Sequence, residues 1–377
     1  MLPVVADLAR LVAFPTISSQ PVTAIAAFLA ERFTDLGFAI ERFDDPTQTG
    51  KTNLLARIGP ERGDGLVLSG HMDVVPVQGQ PWTSDPFTLV QRQGRLYGRG
   101  TADMKGFIAA CLQAIARIER GAWRRPLLLV WTYDEEVGCH GSATLCEQLR
   151  AADRALPAAC LVGEPTDFQV LRMHSGHVAV HIEVTGQAAH TAYPELGANA
   201  IEATAVVVQA MANLAGELRA EHHTLPVGLD RPWVPLSVTR INGGAAINIV
   251  PERCGLDLGY RPLPAMGHEA IWRRLQAIVT GLRLPAGTTA RAEITRLTPS
   301  MHTREGTALE AILSPDARAG GSLAAPYATD GGNFALVGAE PLIFGPGSIA
   351  VAHRADEHIA LADLVRCVDV VERVIRQ

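Results

Sequence analysis

Histidine and acidic residues recur where apolar segments of this 377-residue chain end. His71 and Asp73 close the segment LVLSGHMD, and Glu135 and Glu136 follow the segment PLLLVWTYD. Glu164 ends a third such segment, ACLVGE. Short apolar segments of this kind are typical of buried strands. We therefore expect these polar side chains at the carboxyl edge of one sheet, where open α/β proteins bind their ligands.

Two further candidates lie in loops. Asp103 is part of the glycine-rich stretch GRGTADMKG, directly before a strongly apolar helix, and an aspartate there also suits a helix N-cap. His353 follows the strand-like segment PLIFG (341–345) and lies in AVAHRADEH. The glycines around Asp103 match neither a phosphate-binding loop nor a dinucleotide fingerprint, because no G-K-[ST] follows and the spacing differs.

Taken together, these residues make a donor set of two imidazoles and three carboxylates: His71, Asp103, Glu136, Glu164 and His353. Nitrogen and oxygen donors of this kind suit Zn²⁺, Co²⁺ or Mn²⁺. If one aspartate bridges two ions, each ion keeps one histidine and one glutamate. Paired ions about 3.5–4 Å apart generate hydroxide near neutral pH and polarise a carbonyl. The sequence therefore predicts a two-metal hydrolytic site, with Asp73 available to hold the second ring nitrogen of His71.

The elements that must position these residues alternate between strand and helix over the first 165 residues. We predict strands at 52–58, 65–70, 126–133 and 159–164, and helices at 3–13, 22–37, 107–119 and 140–152. Nearly continuous apolar strands separated by helices indicate an α/β fold with a largely parallel, buried sheet.

The pattern changes near residue 175. The segment HVAVHIEVTG (177–186) alternates apolar and polar residues, as in a sheet with one solvated face. The segments that follow are a helix (199–219), a proline-rich loop (225–235), two strands and a helix (267–282), and later a glycine-rich turn (319–321) and a last helix (361–376). We therefore predict a main domain made of residues 1–175 and 285–377, with a smaller α+β domain inserted at 176–284.

Composition excludes several classes of protein. Acidic residues outnumber Lys plus Arg by 39 to 33, and nucleic-acid-binding proteins usually carry a basic face instead. No apolar run approaches the roughly 20 residues that span a bilayer, and the N-terminal pattern is that of an amphipathic helix rather than a signal peptide. The six cysteines have no C-x-x-C spacing. We expect reduced thiols in a cytoplasmic protein that binds neither nucleic acid nor membrane.

These motifs resemble the co-catalytic metallohydrolase family that includes acetylornithine deacetylases, succinyl-diaminopimelate desuccinylases and carboxypeptidase G. The segments that carry the resemblance are SGHMDVVPV, GRGTADMKG, DEEVG, GEPT and AHRADE, in the family's order along essentially the whole chain. The stretch SGHMDVVPVQGQPWTSDPF, with YDEEVGC and GPGS, is most similar to the members that hydrolyse acetylornithine. The resemblance implies a mainly parallel α/β metallohydrolase domain with an inserted lid and dimerisation domain, and hence a homodimer.

The resemblance also implies a role for each donor. Asp103 bridges two divalent ions, expected to be Zn²⁺ with Co²⁺ as the alternative. His71 and Glu164 complete the coordination of one ion, and Glu136 and His353 that of the other. A cis peptide bond is expected after Asp103.

Other residues are assigned to catalysis and substrate binding on the same basis. Glu135 is the expected general base, and Asp73 orients His71. In the inserted domain, His190 of AAHTAYPELGANAI matches a histidine that holds the oxyanion, in some relatives from the partner subunit. Asn248 and Arg261, in INGGAAINIVPERCGLDLGYRPLP, match residues that bind the substrate carboxylate.

Two departures from the acetylornithine-type pattern bear on the substrate. Residues 329–332 read T-D-G-G where T-E-G-G is usual. The resemblance implies that this position faces the substrate amine, so Asp330 is expected there with a side chain one methylene shorter than glutamate. Residues 173–180 read MHSGHVAV where H-K-G-K is expected, and this removes two positive charges from the start of the inserted domain.

The resemblance implies hydrolysis of a small N-acyl-L-amino acid. The expected substrate is N-acetyl-L-ornithine, which yields L-ornithine and acetate in arginine biosynthesis. Four alternatives stay open at this point. The chain could be an N-succinyl-amino-acid desuccinylase, a di- or carboxypeptidase, a metal-binding regulatory protein that keeps the fold, or a metal-stabilised structural dimer. A regulatory relative is expected to lack a ligand or the base, and this sequence retains all of them.

Overall fold

The computed structural model describes residues 2–61, 63–119, 121–224, 229, 231–318 and 323–377. The chain divides into two compact units, Met1–Met173 with Met301–Gln377, and His174–Ser300. The predicted glycine-rich turn at 319–321 and part of the predicted loop at 225–235 lie outside the described residues.

Seven of the helices form close to where the sequence predicts them, and two short ones, at 308–313 and 331–335, were not predicted. Within the described ranges the helices are α1 (Pro3–Val12), α2 (Thr23–Asp35), α3 (Lys105–Ala116), α4 (His140–Ala151), α5 (Ala200–Ala220), α6 (Glu269–Gly281), α7 (Ala308–Leu313), α8 (Gly331–Ala335) and α9 (Leu361–Arg376). Two short 3₁₀ turns lie at Pro194–Leu196 and Ser314–Asp316. None of the helices described here is both long and apolar enough to cross a bilayer.

The strands are mostly short, and many consist of only two to four residues. They are β1 (Ala39–Asp44), β2 (Thr52–Ile58), β3 (Leu66–His71), β4 (Val90–Arg92), β5 (Arg95–Tyr97), β6 (Leu127–Thr132), β7 (Ala159–Val162), β8 (Met173–His174), β9 (His177–Thr185), β10 (Ala189–His190), β11 (Leu236–Gly243), β12 (Ile249–Val250), β13 (Arg253–Tyr260), β14 (Thr289–Thr298), β15 (Met301–His302), β16 (Ala324–Ala325), β17 (Glu340–Ile343) and β18 (His358–Ala360).

The first unit is built on a six-stranded sheet in the order β1-β2-β6-β3-β7-β17. Strands β6, β3, β7 and β17 run parallel, whereas β1 and β2 are antiparallel to their neighbours. The predicted α/β class with a mainly parallel sheet is therefore confirmed. Because the four parallel strands share a direction, their carboxyl ends lie along one edge of the sheet.

Both faces of this sheet are buried, which explains the nearly continuous apolar strands. Leu66 and Leu68 of β3 pack into a cluster with residues of α1, α2, α3 and α9. Val67, between them, points to the opposite face and packs with Leu145 and Leu149 of α4.

The second unit is a four-stranded antiparallel sheet in the order β11-β13-β9-β14. Val178, Val180, Ile182 and Val184 of β9 are buried with apolar residues of α5 and α6, while the alternate residues are only partly buried. This is the one-sided pattern that the sequence predicts for an α+β insertion.

The insertion ends at Ser300 and not at residue 284 as predicted. Strand β14 (Thr289–Thr298), assigned from sequence to the second part of the main domain, pairs with β9 instead. Its apolar residues are small or widely spaced, with arginine and glutamate between them, so the segment TARAEITRLT gave no strong strand signal. The insertion starts nearly where predicted, at His174 rather than at residue 176.

Close backbone packing beside β17 requires glycine at position 345. A Cβ atom on Gly345 would lie 2.5 Å from the carbonyl oxygen of Gly163 and 2.6 Å from that of Glu164.

Because both contacts are with backbone, we expect Gly345→Ala to lower the free energy of unfolding by about 1–3 kcal/mol. Gly216 is the matched control, since it lies in helix α5 with no atom near its Cβ position. Gly216→Ala should raise stability by about 0.5–1 kcal/mol in the same denaturant titration. Equal effects of the two substitutions would contradict this packing.

Candidate metal centre

His71 and Glu164 are positioned by the carboxyl ends of adjacent parallel strands. His71 is the last residue of β3, and Glu164 follows β7 by two residues. The Nε2 atom of His71 lies 3.0 Å from Oδ1 of Asp103 and 4.0 Å from Oε1 of Glu164. Its Nδ1 donates a hydrogen bond of 2.9 Å to the carbonyl oxygen of Asp73. Because that carbonyl can only accept, Nε2 is the nitrogen left to present a lone pair to a cation.

Asp103 lies between the two histidines. Its Oδ1 is near His71, and its Oδ2 lies 3.2 Å from Nε2 of His353. The same nitrogen of His353 lies 2.8 Å from Oε2 of Glu136. The peptide bond between Asp103 and Met104 is cis, as expected from the resemblance.

The structure thus brings all the predicted metal-binding side chains into one group. The donor atoms of His71, Asp103 and Glu136 lie within 4.8 Å of one another. The donor atoms of His71, Glu135 and Glu164 also lie within 4.8 Å of one another. His353 joins the group through Asp103 and Glu136, although about half of its side chain is exposed.

Asp73 holds the neighbouring loop in a way that the sequence did not reveal. Its Oδ1 accepts from the backbone amide of Glu135 at 3.1 Å, and its Oδ2 accepts from that of Glu136 at 3.3 Å. Ser18 Oγ donates to the same Oδ2 at 2.7 Å. The carboxylate lies 3.6 Å from His71 Nδ1, so the carbonyl and not the predicted carboxylate makes the hydrogen bond to His71.

A buried ion pair also holds Asp134, the residue directly before Glu135. Lys51 Nζ lies 2.6 Å from Oδ1 of Asp134, and both side chains are almost fully buried. The backbone amide of Ser19 donates to the same oxygen at 3.0 Å. Asp134 has a φ of 50°, an unfavourable value for an aspartate that these contacts help to maintain. Sequence reasoning missed Lys51, because an isolated lysine carries no motif.

Asp330 occupies a different setting from the one predicted. Its Oδ2 accepts from the Thr132 hydroxyl and its Oδ1 from the Ser142 hydroxyl, each at 2.5 Å. Only 2% of the residue is exposed, and its carboxylate lies in a group with Glu135 and Cys139. Both carboxylate oxygens therefore already have partners within the protein, whereas the sequence placed Asp330 at the substrate amine.

The remaining predicted residues belong to the second unit. His190 is exposed in β10, where it pairs with Ile249 of β12, and its Nδ1 accepts from the backbone amide of Ala192. Asn248 is exposed, and its carbonyl accepts from the backbone amide of Thr191 at 3.1 Å. This short ladder brings the loops of His190 and Asn248 together. Arg261 is exposed directly after β13.

The electrostatics of the first unit favour bound cations. Five buried or nearly buried carboxyl groups share this region: Asp103, Glu135, Glu136, Glu164 and Asp330. Burial and neighbouring carboxylates raise the pKa of Glu135 and Glu164 well above the usual value and that of Glu136 to about 7. Hydrogen bonds to Asp103 and Glu136 raise the pKa of His353 to about 10.

One atom in this group lacks a partner. Among the residues that the structure describes, no donor reaches the buried Oε1 of Glu136. A buried polar atom without a partner costs about 1–3 kcal/mol. Because the other oxygen of this carboxylate lies 2.8 Å from His353 Nε2, the unpaired oxygen fits a cation ligand. The donor chemistry, the surplus of negative charge and this oxygen all agree with divalent metal ions.

Sequence comparisons give relatives along nearly the whole chain. Residues 67–377 match the family described as peptidase family M20/M25/M40. The chain is 35% identical over 376 residues to an acetylornithine deacetylase of Myxococcus xanthus, covering 98% of this chain and 96% of the relative. It is 32% identical to an acetylornithine deacetylase of Shigella sonnei, covering 93% and 91%.

Solved structures share the fold at low sequence identity. A metallo-carboxypeptidase of the M20 family from Sulfolobus solfataricus has a TM-score of 0.74 at 16% identity, covering 100% of this chain and 99% of that one. A dinuclear metal-binding peptidase of the same family from Bacillus subtilis has a TM-score of 0.69 at 13% identity, covering 99% and 96%. The family predicted from the motifs is confirmed, and the chain belongs to peptidase family M20/M25/M40.

Proposed function

We propose that this protein is a two-metal amidohydrolase that removes the acyl group from an N-acyl-L-amino acid. N-acetyl-L-ornithine is the proposed substrate, with a role in arginine biosynthesis. The observation that carries the proposal is the Asp103 carboxylate, which has one histidine against each of its oxygens and a glutamate beside each histidine. The relatives named acetylornithine deacetylases support the choice of substrate.

These distances support the proposed ligand set. Asp103 would be shared by two divalent ions, Zn²⁺ or alternatively Co²⁺. His71 and Glu164 would complete the coordination of one ion, and Glu136 and His353 would complete that of the other. When bound, such a pair of ions supplies Lewis-acid activation of the amide carbonyl and of water.

Glu135 is the proposed general base. It lies in the donor group of His71 and Glu164, but it is not needed as a ligand in the proposed set. Asp73 fixes its backbone, and the Cys139 thiol donates to its Oε1 at 3.5 Å. In this position Glu135 takes a proton from the attacking water and returns it to the leaving amine, as acid–base catalysis of amide hydrolysis requires.

Residues of the insertion supply the remaining proposed roles. His190, from its own or the partner subunit, stabilises the oxyanion. Asn248 and Arg261 bind the substrate carboxylate, for which the guanidinium fork is well suited. These three assignments rest on the matched motifs and on the exposure of the side chains in the insertion.

For Asp330 the contacts favour a supporting role over binding of the substrate amine. Thr132 ends β6 and Ser142 lies in the first turn of α4, so the two hydroxyls flank the loop that carries Glu135 and Glu136. We propose that Asp330 ties the two ends of this loop together.

The proposed assembly is a homodimer formed through the inserted domain, in the cytoplasm. Large apolar side chains are exposed in this unit: Tyr193, Leu196, Ile201, Ile241, Ile247 and Ile249. Strand β11 is also an edge strand, which offers free backbone groups for pairing with a second copy. The cysteines, all free and buried, agree with a reducing compartment.

The proposed activity is tested by an assay of metal-free protein against a panel of substrates. We expect no turnover without metal, recovery with Zn²⁺ or Co²⁺, and the highest kcat/KM with N-acetyl-L-ornithine. The panel includes other N-acetyl amino acids, N-succinyl amino acids and dipeptides. A preference for N-succinyl substrates or dipeptides would reject the deacetylase assignment and keep the metallohydrolase. Activity that is unaffected by metal removal would reject both.

The assignment of Glu135 predicts that Glu135→Gln lowers kcat by about 10²- to 10⁴-fold, because the proton transfer loses its carrier. Metal content, measured by elemental analysis, should stay near that of the wild type, since Glu135 is not a proposed ligand. Glu147→Gln, an exposed glutamate on α4, is the matched control and should leave kcat unchanged. A wild-type kcat in Glu135→Gln would contradict the assignment of Glu135 as the general base.

The dimer proposal predicts that Ile241→Asp shifts the protein from dimer to monomer in sedimentation-velocity experiments. Ile241 is 54% exposed on the edge strand β11, and a charge there opposes burial against a second copy. Leu336→Asp, at a 59% exposed leucine of the first unit, should leave the sedimentation coefficient unchanged. A wild-type protein that sediments as a monomer at micromolar concentration would overturn the proposal.

A further inference from the structure

A buried ion pair outside the proposed ligand set joins the loops of Asp103 and His353. Arg99 Nη1 donates to Oε2 of Glu357 at 2.6 Å, and both side chains are 1% exposed. Oε1 of Glu357 accepts from the backbone amides of Ala102 at 2.9 Å and of Asp103 at 3.1 Å. One carboxylate thus fixes the backbone at Asp103 from a position only four residues beyond His353.

Arg99 also reaches the His353 loop by a second route. Its Nη2 donates to Oε1 of Gln80 at 2.7 Å, and Gln80 Nε2 donates to the carbonyl oxygen of His353 at 3.0 Å. Trp82 covers the guanidinium, with 5.1 Å between Arg99 Cζ and the ring centre. The guanidinium is therefore a fixed connection between two segments of chain that each carry a proposed ligand.

His353 has particular need of such support. Its side chain is 49% exposed, so packing alone does not hold the imidazole in place. Its φ is 62°, a region that histidine adopts only when its surroundings stabilise it. The contacts described above act on the backbone of this residue and of the loop that follows it.

Stability alone is a weak explanation for the ion pair. Removing two charges from water costs several kcal/mol per ion, and the attraction between them often does no more than offset this cost. Outer residues that orient metal ligands, in contrast, commonly change metal affinity by about 10- to 100-fold.

We propose that Arg99, Glu357 and Gln80 are positioning residues that set the separation of Asp103 and His353. They thereby set the affinity for the second cation, which is the one assigned to Glu136 and His353. This inference rests on the proposed two-metal site. It assigns these side chains no contact with the substrate or with the cations.

The test compares Glu357→Gln with the wild type in the full-length, metal-free protein titrated with Co²⁺. The glutamine oxygen can still accept from the two backbone amides, but the ion pair with Arg99 is lost. We expect the second Co²⁺ to bind about 10- to 100-fold more weakly, with a changed visible absorption spectrum. The free energy of unfolding is measured on the same metal-free samples.

Glu310→Gln is the matched control, because it also removes a carboxylate partner of a buried arginine. Glu310 lies 3.5 Å from Nε of Arg172, an arginine that is 7% exposed. Within the part of the chain that the structure describes, no hydrogen bond joins Arg172 to a proposed ligand. This substitution should lower stability without changing Co²⁺ affinity or the absorption spectrum. Wild-type Co²⁺ binding in Glu357→Gln, whatever its stability, would overturn the inference.

Gln80→Ala keeps the inference testable if Glu357→Gln does not fold, because it leaves no buried charge unpaired. It removes the link between Arg99 and the His353 carbonyl and should weaken binding of the second Co²⁺ by up to about 10-fold. In that case wild-type Co²⁺ affinity in Gln80→Ala overturns the inference. A failure of the proposed function gives a different result, because the wild-type protein itself would bind fewer than two Co²⁺ ions.

Discussion

Mutual repulsion among buried carboxylates is the interaction on which the rest of this molecule depends. Asp103, Glu136 and Glu164 lie close together at the carboxyl edge of the central sheet, and the imidazoles of His71 and His353 lie against them. Burial and neighbouring carboxylates raise the pKa of Glu136 and Glu164, whereas hydrogen bonds to the two histidines hold the pKa of Asp103 below its usual value. Divalent cations are the partners that relieve this repulsion while keeping the carboxylates ionised. The fold is therefore best understood as a support for two cations.

The support is built largely from further acidic side chains that accept hydrogen bonds. Asp73 holds the backbone of the loop that carries Glu135 and Glu136, and Asp330 accepts from hydroxyls at both ends of that loop. Glu357 holds the backbone at Asp103. Each of these carboxylates is buried and fully engaged, so each fixes a segment of chain without competing for a cation. This division between binding and supporting carboxylates explains why so many acidic residues occur among apolar strands.

The sequence predicts the ligand-bearing strands well, because strand ends are local features. His71 and Glu164 follow apolar runs whose parallel arrangement is evident from the intervening helices. The supporting contacts are different, since they join residues that are far apart in the chain: Asp330 lies 198 residues from Thr132, and Glu357 lies 255 residues from Ala102. No local pattern marks such pairs, and the hydroxyl partners of Asp330 could therefore not be predicted from the sequence. The end of the insertion was missed for a related reason, because β14 is recognisable only by its pairing with β9.

In the proposed site, Asp103 would be shared by two cations. Equilibrium dialysis of metal-free protein against Zn²⁺, followed by elemental analysis, measures the number of bound ions. We expect two Zn²⁺ ions bound per chain in the wild type. Asp103→Ala, which removes the shared ligand, should lose tight binding of both. A single ion per chain in the wild type, or two ions still tightly bound by Asp103→Ala, would show that Asp103 is not shared by two cations.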